Sequence, residues 1–337
     1  MTERTLRPVA LGAAGPPVGA QGLGCMGMSE FYGPSDVEES RRTLDRALEL
    51  GVTLFDTADA YGYGRNEELL GPFVRANRDR VVIATKFGLV RSVDDPRHRR
   101  IDNSPGYLRR AVEASLRRLG VDVIDLYHVH RVAPATPVEE TVGALAELVD
   151  RGKVRHLGLS EVTGAQLRAA HAVHPIAAVQ SEWSIFSRDV ETTVVPTAAE
   201  LGVALVPYAP LGRGFLTGAV TGVDRLAPDD SRRHMPRFTG DRARHNAALL
   251  SPIHRIAAAR SVTPAQVALA WVHQRAVVHG LPVVPIPGTR SPARLAENVA
   301  AAGLVLTGAE LAELEPIAAR VAGSRDAGLT MSAVRRD

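Results

Sequence analysis

The chain of 337 residues has one cysteine, Cys25, so no internal disulfide can form. A single free thiol suits a reducing compartment. Residues 1–7, Met-Thr-Glu-Arg-Thr-Leu-Arg, hold no apolar stretch of the kind a secretory signal needs. Nor does any apolar run approach the roughly 18 residues of a membrane span. The expectation is a cytoplasmic protein with no membrane partner. Aromatics are scarce at 4% and lysine is scarcer still. Of the 40 basic residues only Lys86 and Lys153 are lysine, so 38 are arginine. A chain that uses arginine wherever a generic cation suffices makes each lysine informative. Strong charge of one sign is also missing, since the formal net charge is +3. The arginines are interleaved with acids rather than gathered in a long basic stripe with aromatics, which excludes a nucleic-acid surface. The short basic run Arg97-His98-Arg99-Arg100 reads as a solvated loop.

What is present is an alternation. Short apolar runs at 52–56, 81–86, 124–130, 156–160, 178–181, 203–208 and 283–286 read as strands, with an eighth, short one ending near Gly24. Between them fall amphipathic stretches at 37–50, 66–75, 105–119, 138–151, 165–174, 191–201, 264–273 and 292–302. Ser104-Pro105, Thr263-Pro264 and Ser291-Pro292 each set an N-cap before an N1 proline. Leu119-Gly120-Val121 and Leu201-Gly202-Val203 end a helix on glycine and enter a strand. Eight strand-then-helix units with short turns predict a (β/α)8 TIM barrel over residues 19–310 of one domain spanning 1–337. An open doubly wound sheet remains the alternative on element order alone. Residues 6–18 read as a β-hairpin turning at 12–17 that plugs the barrel floor. Residues 212–262 form a long segment after the seventh strand, on the face where barrel enzymes build their sites. Residues 311–337 make a C-terminal tail.

Gly22-Leu-Gly24-Cys-Met-Gly27 matches the dinucleotide fingerprint in spelling only. That site needs a helix opening at the third glycine, and the next helical pattern starts near Asp36. A glycine-rich rim loop beside a ligand is the better reading.

Three successive strand ends carry polar residues. Asp56 and Tyr61 follow the second strand, Lys86 ends the third, and Asp125-Leu-Tyr-His128-Val-His130 forms the fourth. In a parallel barrel such ends converge on one pocket. Their chemistry suits carbonyl reduction, which needs a proton donor for a developing alkoxide. A free tyrosine has a pKa of ~10. An ammonium about 4 Å away at an effective dielectric of ~20 contributes up to ~4 kcal/mol, which would pull Tyr61 towards neutral pH. Asp56 would hold Lys86, and His130 would donate to the carbonyl oxygen. His128 shares the face of His130 at a period of two and reads as an interior histidine. A metal reading of the two lacks further ligands at other strand ends.

In that order, Asp56 with Tyr61 five residues on, Lys86, and D-L-Y-x-x-H ending at His130 resemble the catalytic tetrad of the aldo-keto reductase superfamily. The resemblance runs from Leu23 to Asn298 and is similar to the bacterial branch akin to potassium-channel β subunits. It implies NADPH-dependent reduction of aldehydes or ketones, with NADPH/NADP+ as cofactor and a small carbonyl compound as substrate, in a monomer or homo-oligomer. It also implies cofactor contacts: Gly24, Cys25 and Met26 on the rim, and Ser160, Glu161 and Gln180 at the carboxamide. Glu161 stands where the family usually has asparagine. Tyr208 would stack on the nicotinamide. Pro210, Leu211, Gly212 and Arg213 would approach the pyrophosphate. Gly288, Thr289, Arg290 and Arg294 would hold the 2′-phosphate, and Glu297 and Asn298 the adenine. Phe31, Tyr32, Phe87, Trp183 and residues 235–238 are candidates for an apolar substrate wall. The alternative class is an NADPH-sensing regulatory protein with slow turnover, as the channel-subunit likeness suggests.

Overall fold

The computed structural model describes residues 6–95 and 99–326. Two short strands, β1 (Pro8–Ala10) and β2 (Pro17–Gly19), pair antiparallel with Val9 opposite Val18. This is the expected hairpin, and it closes the floor of a barrel. Leu11 at its turn is fully buried and packs among Leu54, Ala84, Leu126 and Ala178. Gly12 there has φ 68°, and a Cβ would lie 2.6 Å from the carbonyl oxygens of Ala177 and Gly202. Only glycine permits that approach.

The barrel wall begins with β3 (Leu23–Gly24), β4 (Leu54–Asp56) and β5 (Val82–Phe87). An antiparallel ribbon of β6 (Leu89–Arg91) and β7 (Arg99–Ile101) then leaves the wall. Arg99 and Arg100 are therefore in a strand; Arg97 and His98 of the same basic run lie outside the described residues. The wall resumes with β8 (Ile124–Val129), β9 (Val154–Ser160), β10 (Ile176–Glu182) and β11 (Ala204–Tyr208). These seven wall strands pair in parallel in chain order.

The eighth strand, expected at 283–286, is not a regular strand, yet its backbone closes the ring. Val284 and Ile286 donate to Leu205 and Pro207 on one side, and Gly22 donates to Pro285 on the other, each at 2.9 Å. Isolated bridges join Leu205 to Val283 and Gly24 to Gly288. Pro282, Pro285 and Pro287 have no N–H, so a continuous ladder cannot form. Closure distinguishes the (β/α)8 barrel from the open sheet.

The outer helices are α1 (Val37–Glu49), α2 (Arg65–Ala76), α3 (Pro105–Leu119), α4 (Val138–Asp150), α5 (Gly164–Val173) and α6 (Val194–Leu201). The Ser104 hydroxyl caps α3 through Tyr107 N, and Gly120 follows it at φ 67°. Two helices inside 212–262 were not anticipated: α7 (Gly240–Ala248) and α8 (Ser251–Arg260). The former buries only Ala243 and Asn246, too little apolar periodicity to read from sequence. Next, α9 (Pro264–His279) runs a turn and a half past the expected end, behind a Thr263–Gln266 capping box. Finally come α10 (Pro292–Ala300) and α11 (Gly308–Leu314). Ser291 precedes α10, but its side chain makes no capping bond. The residues after 326 in the expected tail lie outside the described residues.

Candidate active site

Parallel pairing carries neighbouring strand ends to one level. Asp56 ends β4 beside Ala84, and Lys86 lies beside His128. The loop after β4 is pinned to β5, with Thr57 N donating to Ala84 O at 2.8 Å and Asp59 N to Lys86 O at 3.1 Å. That fixes Tyr61, which opens a tight turn whose next two residues, Gly62 and Tyr63, have φ near 57°. The fully buried Lys86 Nζ donates to Asp56 Oδ1 (2.8 Å), Asp56 Oδ2 (2.7 Å) and Thr57 O (2.7 Å). The Tyr61 hydroxyl lies 3.4 Å from it. An ammonium cannot accept, so the Tyr61 oxygen must, and its own proton is left for another partner. The His130 ring meets the Tyr61 ring edge-on, centroids 5.7 Å apart.

Electrostatics correct one expectation. Lys86 does not bring Tyr61 towards neutrality. Burial, and then the Asp56 charge, push the phenol well above its ordinary value. The two carboxylate oxygens that grip Nζ offset its field. Burial also lowers Lys86, against the pull of Asp56. His130 falls well below the imidazole range through burial, Arg131 and Lys86, so it is neutral. His128 is fully buried, lowered to about 3 by burial and Lys86, and packs where a Cβ on Gly158 would collide with its ring. It belongs to the interior.

A cleft of about 680 Å³ opens over this group. Asp56, Tyr61 and His130 line it, while Lys86 stands behind. Gly24 and Met26 line it too, but Cys25 does not: the thiol is buried and points to Leu23 O, and only the Cys25 backbone engages Asp56. Ser160 and Gln180 are on the wall, with the Gln180 amide donating to Asp56 Oδ1 at 2.7 Å. Glu161 is turned away at φ 53°. Its buried carboxylate accepts from Glu182 N at 3.0 Å and pairs with Arg325. The asparagine-like role expected of Glu161 therefore gives way to an ion pair. Tyr208, Pro210, Leu211 and Arg213 line the cleft, and Gly212 is buried beneath them. Arg213 donates to Glu182 at 3.2 Å.

Gly288, Thr289, Arg290, Arg294, Glu297 and Asn298 form the far wall. Arg290 is held by the carbonyls of Gly27, Tyr32 and Gly33 (2.8–3.4 Å), and Glu297 accepts from the Thr263 hydroxyl at 2.6 Å. Of the aromatic candidates, Phe31 and Tyr32 line the cleft. Phe87, Trp183 and Phe238 are buried in the core, and Met235 packs against it. Sequence reading missed the β6–β7 ribbon, whose Arg91 grips Glu30 at 2.7 and 2.8 Å over the Tyr63 ring. It also missed Arg131 on the cleft wall. Arg131 directly follows His130, and that adjacency was the available signal.

The wall fits an anionic dinucleotide. Gly24 and Gly288 let two backbones meet, since a Cβ on Gly24 would lie 2.9 Å from Ile286 O. Arg213, Arg290 and Arg294 supply donors suited to phosphate, and Ser160 and Gln180 supply neutral polar groups near Tyr61. Among the described residues no cluster could hold a metal ion, and no helix is long and apolar enough to cross a membrane.

A closed parallel barrel with a buried Asp–Lys pair beside a part-buried tyrosine at its C-terminal mouth defines a barrel oxidoreductase class. The sequence model of the aldo/keto reductase family matches residues 21–319, and the chain belongs to that family. Among solved structures it is similar to a glycerol dehydrogenase from Gluconobacter oxydans: 29% identity, 96% of this chain and 97% of that one, TM-score 0.81. An aldo-keto reductase from Bacillus halodurans, in its holo form, is 26% identical over 97% and 99% of the two chains, TM-score 0.72. One from Klebsiella pneumoniae, solved in complex with NADPH, is 28% identical over 94% and 95%, TM-score 0.69.

Proposed function

We propose that this protein reduces aldehydes or ketones to alcohols with NADPH, and that Tyr61 is the proton donor. The observation that carries the reading is the Tyr61 hydroxyl, 3.4 Å from an ammonium that itself grips Asp56 and Thr57. That oxygen accepts from Lys86, so its proton is directed away from the pair. NADP(H) supplies or takes the hydride. Ser160, Gln180 and Tyr208 are the residues suited to its nicotinamide, and Arg213, Arg290 and Arg294 to its phosphates.

The protein's own part is the proton and the orientation. A carbonyl oxygen near Tyr61 and His130 gains negative charge as the carbon is reduced. The Tyr61 proton moves to that oxygen, giving the alcohol. The resulting phenolate is stabilised by Lys86 and by the charge of Arg131. His130 is neutral and carries one ring N–H, so it can donate to the same oxygen without competing as an acid. Burial keeps the phenol protonated until a base as strong as an alkoxide develops beside it. In reverse, the same groups take a proton from an alcohol. The name of the Gluconobacter relative, a glycerol dehydrogenase, supports a carbonyl–alcohol couple here too.

The test is NADPH fluorescence titration followed by NADPH oxidation with simple aliphatic and aromatic aldehydes. Saturable binding with multiple turnovers is expected. Binding without turnover on any aldehyde would favour the regulatory sensor instead.

A further inference from the structure

Arg131 is an arginine without a carboxylate partner at the reacting end of the cleft. It is partly buried and lines the cleft beside His130. Nη1 uses both its protons on protein acceptors, His130 O at 2.6 Å and the Ser160 hydroxyl at 3.1 Å. Nε is buried with no acceptor. Nη2 makes no hydrogen bond among the described residues and is not buried, so it is open to the cleft. One nitrogen of three is satisfied. A guanidinium kept only to brace the wall would have more of its donors occupied, because buried polar groups are normally paired.

The local charges point the same way. Lys86 is balanced by Asp56, and Arg91 on the opposite rim is balanced by Glu30. Arg213 and Arg232, further along, are paired with Glu182 and Asp230. Among the described residues, no carboxylate forms an ion pair with Arg131. Arg131 thus brings a part-buried positive charge, unpaired with any carboxylate among the described residues, next to the tyrosine and histidine that face the carbonyl; Arg99, which also lines the cleft, is exposed on the β6–β7 ribbon.

We propose that Arg131 docks a carboxylate of the substrate, so that the preferred substrates are oxo acids: carbonyl compounds with a carboxylate within reach of the reacting carbon. The inference rests on the reductase reading above and names the substrate class of that site. The open Nη2 donates to the carboxylate while Nη1 stays anchored to Ser160 and His130. An anion held there sets the carbonyl beside Tyr61 and His130 with little freedom to turn.

The test compares 4-oxobutanoate with its methyl ester, and 4-carboxybenzaldehyde with its methyl ester, on wild type, Arg131→Met and Arg131→Lys. Wild type is expected to favour each acid over its ester in kcat/KM by roughly 10–100-fold, the range of a charge-assisted hydrogen bond. In Arg131→Met the acid-to-ester ratio falls to about one, whatever happens to the ester rate, and Arg131→Lys recovers part of it. The loss falls mainly on KM. No preference for either acid in wild type overturns the proposal. So does an equal loss for acid and ester, with weaker NADPH binding, which would make Arg131 a cofactor-positioning residue. Calorimetric titration of the same pairs into the NADPH-loaded protein reads docking without turnover. Acid binding that depends on Arg131, with no reduction, keeps this inference and overturns the reductase reading. Equal reduction of acid and ester does the reverse.

Discussion

Two buried ion pairs stand at barrel strand ends, and they are built differently. Asp56–Lys86 joins adjacent strands: both side chains are at most 5% exposed, and Nζ has three close acceptors. Glu161–Arg325 joins the end of β9 to the C-terminal segment, with side chains 1% and 12% exposed. That segment is tied down separately, by Asn246 bonding Ala322 in both directions (2.8 and 3.0 Å) and by Arg237 reaching Gly323 O. The barrel itself specifies the first pair. The second exists only when a distant stretch of chain is docked. The proposed function makes the first a part of the reacting group, while the second ties Arg325 to a strand end beside Ser160.

The sharpest contrast is between turnover and stability. Lys86→Met is expected to lower turnover by roughly 10²–10⁴-fold, the usual range for a proton-transfer group. It also leaves Asp56 buried and unpaired, so its melting temperature falls. Adding Asp56→Asn restores much of the stability and none of the turnover. Recovery of turnover in the double variant would show that the pair only braces the fold. By comparison, Arg325→Gln should cost about 3 kcal/mol by denaturant titration, because it removes the guanidinium paired with the buried Glu161 charge. Turnover should change less than tenfold. Glu161→Gln added to it regains stability. A turnover loss in Arg325→Gln as large as that of Lys86→Met would erase the distinction.

The pH profile sharpens the first pair further. In the proposed mechanism the active form of Tyr61 is its acid, and burial with Asp56 raises its pKa. The reduction rate should therefore not decline through Tyr61 ionisation between pH 7 and about 9. A fall centred near pH 7–8, followed with an aldehyde that does not itself titrate, would mean that the Lys86 field dominates after all.

A separate pH effect concerns Asp59, which sits between Asp56 and Tyr61 in sequence but accepts from Tyr107 at 3.1 Å. Burial and Glu67 raise it to about 8. The folded protein therefore holds this proton where the unfolded chain has lost it, and stability drops as pH rises from about 4 to 8. Asp59→Asn removes that slope, so thermal melts at pH 8 should be higher than wild type while melts at pH 4 differ little. An unchanged slope would remove Asp59 from the account.

The barrel and the Asp56–Tyr61–Lys86–His130 group were legible because both follow from local rules. Apolar runs of period two, glycine at helix ends and polar residues at successive strand ends are properties of short windows. The rarity of lysine made Lys86 stand out. The irregular eighth strand could have been inferred from its three prolines, since each removes a ladder donor. In contrast, α7 and the Glu161–Arg325 pair had no local signature. The helix has almost no apolar face, and the pair spans 164 positions. Arg131 was overlooked for a different reason. Its place directly after His130 was visible in the sequence, but its lack of a carboxylate partner among the described residues is seen only in the fold.

The most direct test is single-turnover reduction of an aldehyde by NADPH-loaded Tyr61→Phe, with NADPH affinity measured on the same sample. The account predicts unchanged affinity and hydride transfer slowed by roughly 10²-fold or more. Transfer at the wild-type rate in a variant that binds NADPH normally would contradict it.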